Sequence, residues 1–198
     1  MIGRVYGFAR SLRQPHTLLR RQYSVKAIYS SFPATLHYYC PRRTSALFNH
    51  QEIDSRPDDM YDEGVIVQSD GLVYPAVSKT SASNGAILFP NTFMMQELVR
   101  QYFDDVLDRQ DEGKQIESPF ICTIPKGTPI PGHLILINEY LSRFSLQPSH
   151  GMLLEDLNRS LDEFYKSYAR RETVENWLDT HPFPQAVADD ADAVWMAK

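Results

Sequence analysis

Two neighbouring hydroxyls, Thr80 and Ser81, sit in 78-SKTSASNG-85, a run of small and polar residues that leads into the apolar 86-AILF-89. Hydroxyls without bulk around them suit an ordinary loop of turn formers, and they equally suit a floor on which a flat, polar ligand lies close to the backbone. Other chemistries are poorly provided for. His37, Cys40, Cys122, His133 and His150 could ligate a metal, but no pair has the Cys-x-x-Cys or His-x3-5-His spacing of structural zinc, and His37-x2-Cys40 alone is weak. Cys122 alternates within the apolar 120-FICTIP-125, where a thiol behaves as a small hydrophobe rather than a nucleophile. His133 and His150 stand beside glycines and read as exposed turn residues. Neither G-x-x-x-x-G-K-[ST] nor G-x-G-x-x-G occurs, which removes the glycine-rich routes to a nucleotide and leaves other folds open.

The elements that must hold these residues are short. Residues 35-TLHYYC-40 are rich in β formers and end at Pro41, so they predict a first strand. Thr44 to Met60 is polar, broken by Pro57-Asp58-Asp59, and reads as a loop with room for one short helix. The strands 64-GVIVQ-68 and 72-LVYP-75 flank a tight turn at Asp70-Gly71. Asn91 or Thr92 caps a helix through 93-FMMQELVRQYFDDVLDR-109, with Met94, Leu98, Tyr102 and Val106 as its apolar row and Phe93, Val99 and Phe103 widening it. Strands follow at 120–125, after the Pro/Gly turn of 124-IPKGTPIP-131, and from Arg143 to Leu146, stopped by Pro148. A second helix spans 152-MLLEDLNRSLDEFYKSYARR-171, with Leu154, Leu157, Leu161, Phe164, Tyr165 and Tyr168 toward the core and acids early, bases late. Short strands interleaved with two main helices predict an α+β fold.

The totals agree with one core: 198 residues, 42% hydrophobic and 12% aromatic. A net charge of −5 argues against general nucleic-acid binding, and no run approaches the roughly 20 apolar residues of a membrane span, so a soluble protein is expected. Two distant cysteines predict no disulfide framework. The charge is unevenly spread, with no acid before Glu52 and Arg4, Arg10, Arg13, Arg20 and Arg21 ahead of it. That composition, with Arg21-Gln22-Tyr23-Ser24 resembling a processing site, predicts a mitochondrial presequence; a basic N-terminus with no address is the alternative.

The order Asp70-Gly71-Leu72, Pro75, Thr80-Ser81, 124-IPKGTPIP-131, then Ser145-x2-Pro148-x3-Met152 and 161-LDEF-164, resembles the type VI secretion exported toxin that is second of its series, and its fungal relatives. The likeness spans roughly residues 32 to 170. It implies an ADP-ribosyltransferase-like toxin fold of mostly antiparallel strands with NAD as substrate. The domains expected are a presequence at 1–30, the toxin domain at 31–180 and an acidic tail at 181–198. Thr80 and Ser81 occupy the family's Thr-Ser pair, and Arg143 stands where the family has a His. An Arg there can hold a phosphate or ribose with its planar fork but cannot act as a neutral acid or base. The family's first strand carries an Arg after Leu-Tyr; here Leu36 is followed by His37-Tyr38-Tyr39, and the resemblance implies His37 or Tyr38 as the substitute for that cofactor anchor. Cleaving the nicotinamide–ribose bond builds positive charge on the sugar, so a carboxylate or dipoles should lie near it. Glu139 is the candidate carboxylate, with an ordinary solvated strand Glu as the alternative; Tyr38 or Tyr74 could stack on nicotinamide, and Asp70 completes the cofactor-binding set. The resemblance further implies an unidentified macromolecular acceptor, or water, and a neutralising antitoxin. A catalytically degenerate binding protein of the same fold is the alternative function.

Overall fold

The β-rich centre of the chain, 134-LILINEY-140 followed by 143-RFSLQP-148, folds back on itself as a hairpin. The structure, a computed structural model, describes residues 25–51 and 64–185. The expected presequence up to Ser24, the Pro57-Asp58-Asp59 breaker and the tail beyond Gln185 lie outside the described residues. In chain order the elements are β1 (Ala27–Tyr29), β2 (Leu36–Cys40), β3 (Phe48–Asn49), β4 (Gly64–Val65), β5 (Leu72–Val73), β6 (Ala86–Leu88), α1 (Phe93–Asp111), β7 (Phe120–Ile124), β8 (Leu134–Tyr140), β9 (Arg143–Pro148), β10 (Met152–Leu153), α2 (Leu154–Tyr168), β11 (Arg170–Thr173) and α3 (Val174–Thr180). This is the expected α+β class, with mostly antiparallel sheets and three helices among the described residues in place of two. None of those helices is long and apolar enough to cross a membrane.

Two sheets form the body. One is antiparallel in the order β1-β8-β9-β6, the other in the order β11-β7-β2. They meet where His37 N–H donates to the Phe89 carbonyl at 2.7 Å and Phe89 N–H donates back at 3.0 Å. β5 and β10 make an antiparallel pair, and β3 and β4 a parallel one. β3 falls inside the stretch expected to be loop.

Alternation then decides the layers. On β9, Phe144 and Leu146 face a core shared with Leu36, Tyr38 and the α2 residues Leu157, Leu161, Phe164 and Tyr165. On β2 the opposite set, with Tyr39 and its neighbour Ile121 of β7, faces a second core built from Met95 and Val99 of α1 and Val174 and Trp177 of α3. β2 is therefore buried on both faces.

Three expectations about helices change. Thr92 is the cap of α1, its Oγ1 accepting from Met95 N–H at 3.3 Å, but the buried row is Met95, Val99 and Val106. Met94 and Phe93 point outward, 49% and 68% exposed, because the helix rotates to set Met95 and Val99 against Tyr39 and Trp177. α2 begins at Leu154, since Met152 and Leu153 pair with β5, and it ends at Tyr168, since Arg170–Thr173 pair with β7. Tyr168, expected toward the core, is 43% exposed. Pro148 does not merely stop β9; it is its last paired residue, opposite Leu134.

Candidate active site

The polar face of the first sheet follows from alternation along β8 and β9 and is extended by one bulge. Leu134 through Asn138 pair in step with Pro148 through Phe144, but Arg143 pairs with Tyr140, leaving Glu139 as the extra residue. A bulge puts two successive side chains on the same side of a strand. Glu139 faces Ser145 and Gln147 by ordinary alternation, two residues on from Ile137, and the bulge brings Tyr140 to the same side, facing Arg143, whose guanidinium carbon lies 5.8 Å from the ring centroid. The turn that follows holds Leu141 at φ 46, braced by Asn138 Nδ2–H donating to the Leu141 carbonyl at 2.9 Å.

Glu139 is not the solvated strand carboxylate that alternation suggests. Its side chain is 4% exposed and both oxygens are taken: Oε1 accepts from Ser145 Oγ–H and from Gln147 Nε2–H at 2.9 Å, and Oε2 pairs with the Lys26 ammonium. Lys26, just ahead of β1, is equally buried and also donates to the Ser81 carbonyl at 2.9 Å. Gln147 Oε1 accepts from Ala76 N–H at 2.7 Å. A buried ion pair of this kind is held by the hydrogen bonds that complete it.

Over this network runs the hydroxyl loop. Ser81 N–H donates to the Ser78 carbonyl at 3.0 Å, and the Thr80 and Ser78 hydroxyls are 2.9 Å apart at the surface. Ala82 and Ser83, directly after, line a cleft of about 250 Å³ together with His50, Ile66, Gly85, Ile87 and Arg143. Gly85 permits this: a Cβ there would stand 2.2 Å from the Leu146 carbonyl oxygen, so any side chain would push β6 off β9. Arg143 Nε is buried without a hydrogen-bond partner among the described residues. A guanidinium on the wall of a cleft is a planar set of donors of the kind that suits an anion or a carbonyl.

The eight candidate residues therefore fall into three groups. Ser81 and Glu139 share one network through Lys26, Thr80 stands on the same loop, and Arg143 lines the cleft that the next residues, Ala82 and Ser83, border. Asp70 and Tyr74 form a pair of their own, Tyr74 O–H donating to Asp70 Oδ2 at 2.8 Å with the Tyr74 ring against Gly151, and neither lines that cleft. That bond, followed by the Leu72 N–H, holds the Asp70 carboxyl below its usual range and pushes the Tyr74 phenol up. His37 and Tyr38 sit on opposite faces of β2. Tyr38 stacks on Tyr165 in the first core, centroids 4.9 Å apart. His37 lies between Trp177 and His181 in the second, with Trp177 Nε1–H donating to Nδ1 at 3.0 Å and Thr123 Oγ1 at the same distance. Burial, then His181 and Arg170, push its pKa down to about 3, so the ring is neutral. An open nicotinamide clamp or phosphate anchor is not what these two side chains present.

Sequence reasoning passed over Lys26, Ser145, Gln147 and His50. Ser145 and Gln147 had a signal, since 143-RFSLQP-148 alternates polar and apolar on a strand whose residues from Phe144 to Pro148 are all buried. Lys26 had none beyond its type.

Against known families, the chain matches the family model described as Tse2 ADP-ribosyltransferase toxin over residues 34–177. No curated protein matches it. The matched span holds all eight candidate residues and runs into α3; Lys26 and β1 precede it.

Proposed function

The chain belongs to the Tse2 ADP-ribosyltransferase toxin family, and on that premise we propose that the cleft beside Arg143 takes NAD, whose nicotinamide–ribose bond the protein cleaves to pass ADP-ribose to a macromolecular acceptor or to water. The observation that carries this reading is the guanidinium of Arg143 on the wall of a cleft bordered by Ser83 and preceded by the Thr80 and Ser81 hydroxyls. The cleft's volume, about 250 Å³, suits one half of a dinucleotide rather than the whole.

NAD brings a glycosidic bond whose cleavage leaves positive charge on the ribose. Arg143, with a planar fork of donors, is suited to a diphosphate or ribose oxygen, and the Thr80 and Ser83 hydroxyls to sugar hydroxyls. Glu139 has a different part from the one its type suggests. Its charge is already neutralised by Lys26, so it has little to offer a developing cation and acts instead by holding the loop. A neutralising antitoxin, as the family implies, would act by covering this cleft, and the N-terminal basic stretch remains a proposed mitochondrial address.

Nicotinamide release from NAD, and label transfer from labelled NAD in the presence of a lysate, test the reading with the full chain and a Thr80→Ala/Ser81→Ala variant. Turnover in the first that is lost in a still-folded second supports it. A folded protein that neither binds nor cleaves NAD overturns it and leaves the degenerate binding protein.

A further inference from the structure

We propose that Lys26 is a positioning residue of this site: from just ahead of β1, outside the family-matched segment, its ammonium clamps the hydroxyl loop onto the sheet and so holds the approach to the cleft. The inference rests on the reading of that cleft as the active site.

The clamp is a closed circuit of hydrogen bonds. Ala76 N–H donates to Gln147 Oε1, Gln147 Nε2–H to Glu139 Oε1, and the Lys26 ammonium bridges Glu139 Oε2 and the Ser81 carbonyl. Both ends of the 76–81 segment are thereby tied to one carboxylate. The backbone adds a third hold, with Lys26 N–H donating to the Val77 carbonyl at 2.9 Å and Val25 bridging Ser78.

Each part of the circuit has a reason to be ionic. A lysine stem is long enough to cross under the loop from β1, and three ammonium hydrogens allow it to serve two acceptors at once. An apolar side chain would fill the same space at no desolvation cost, but it would leave the Ser81 carbonyl without this donor. Without the ammonium, the Ala76 end stays fixed through Gln147 while the Thr80–Ser81 end is released, so the loosening should be local.

Backbone amide hydrogen exchange on the full chain tests this, comparing wild type with Lys26→Met, Lys26→Met/Glu139→Gln and Lys26→Arg. The double variant removes both charges and guards against a single variant that fails to fold. Exchange at residues 78–83 should quicken at least tenfold in the double variant, while residues 134–148 keep their protection. Lys26→Arg, which retains a cationic donor, should restore protection to within a few-fold. In NAD turnover the same double variant should raise KM at least tenfold with kcat changed less, as displaced binding groups require. Unchanged exchange at 78–83 in the folded double variant overturns the clamp, as does quickening spread evenly over the sheet. If wild type releases no nicotinamide, the NAD reading falls on that result, and the exchange comparison still decides the clamp.

Discussion

Two regions of this molecule bury polar side chains against a sheet, and they do so in opposite ways. Beneath the hydroxyl loop, Lys26 and Glu139 form an ion pair that is tied to the 76–81 segment, by Lys26 directly at Ser81 and by Gln147 at Ala76. Under α3, His37 is stripped of charge and locked among neutral donors and aromatic rings. The first network ends on a loop with exposed hydroxyls; the second closes on the core. Polar burial alone does not mark a site. What distinguishes one is where the network leads.

The largest effect should come from cutting the ionic network. Lys26→Met should destabilise by about 3–5 kcal/mol in urea unfolding, because it leaves a buried carboxylate unpaired, and adding Glu139→Gln should return most of that. A double variant no better than the single would mean that the ion pair is not the cause. The neutral region comes next. His37→Ala should cost about 2–3 kcal/mol at pH 8 by orphaning the Trp177 N–H and opening a cavity.

The two regions also part on pH. A histidine whose folded pKa is about 3, against roughly 6.5 unfolded, gains its proton in the unfolded state first. Its contribution is therefore complete above roughly pH 6.5 and lost as pH falls toward 3, at up to about 1.4 kcal/mol per unit. Stability measured against pH should fall less steeply over that window in His37→Ala than in wild type. Equal slopes would show that His37 is not the group responsible.

Arg143→Gln should separate function from stability. Its Nε has no hydrogen-bond partner among the described residues, so unfolding should shift by less than about 1 kcal/mol while NAD affinity, by titration, drops at least tenfold. The smallest effect should be a gain. Leu141 holds a left-handed φ that costs a branched side chain about 1 kcal/mol, and Leu141→Asn should recover part of it in thermal unfolding.

Much of the scaffold was legible because its signals are local. The β formers of Leu36–Cys40 and Phe120–Ile124, the Asp70-Gly71 turn and the two long apolar periodicities each declare themselves within a few residues. α3 did not, because seven residues make too short a period to separate from the helix before it. The site was legible in part. Arg143 lines the cleft and Thr80-Ser81 lead into its Ala82 and Ser83; alternation sets Glu139 on the face of Ser145 and Gln147, but nothing local announces that Lys26 would cover that face. Nor can alternation choose a face on a strand buried on both sides, and His37 turned to the face away from the cleft. Lys26 was lost for a different reason. Its partner is 113 residues away, and a basic, acid-free stretch invites a compositional reading that stops looking for partners.

β1 has one further consequence, for anyone who would trim the chain to its recognisable length. It is the outermost strand of the first sheet, pairing residue by residue with Asn138, Ile137 and Leu136 of β8. A protein cut to residues 34–177 would lack it, and would present to solvent the open backbone of 134-LILINEY-140, an apolar, β-prone run with a single charge. Such a naked border recruits other chains. The shortened protein should aggregate where the full chain stays dispersed, a difference that light scattering of the two would read.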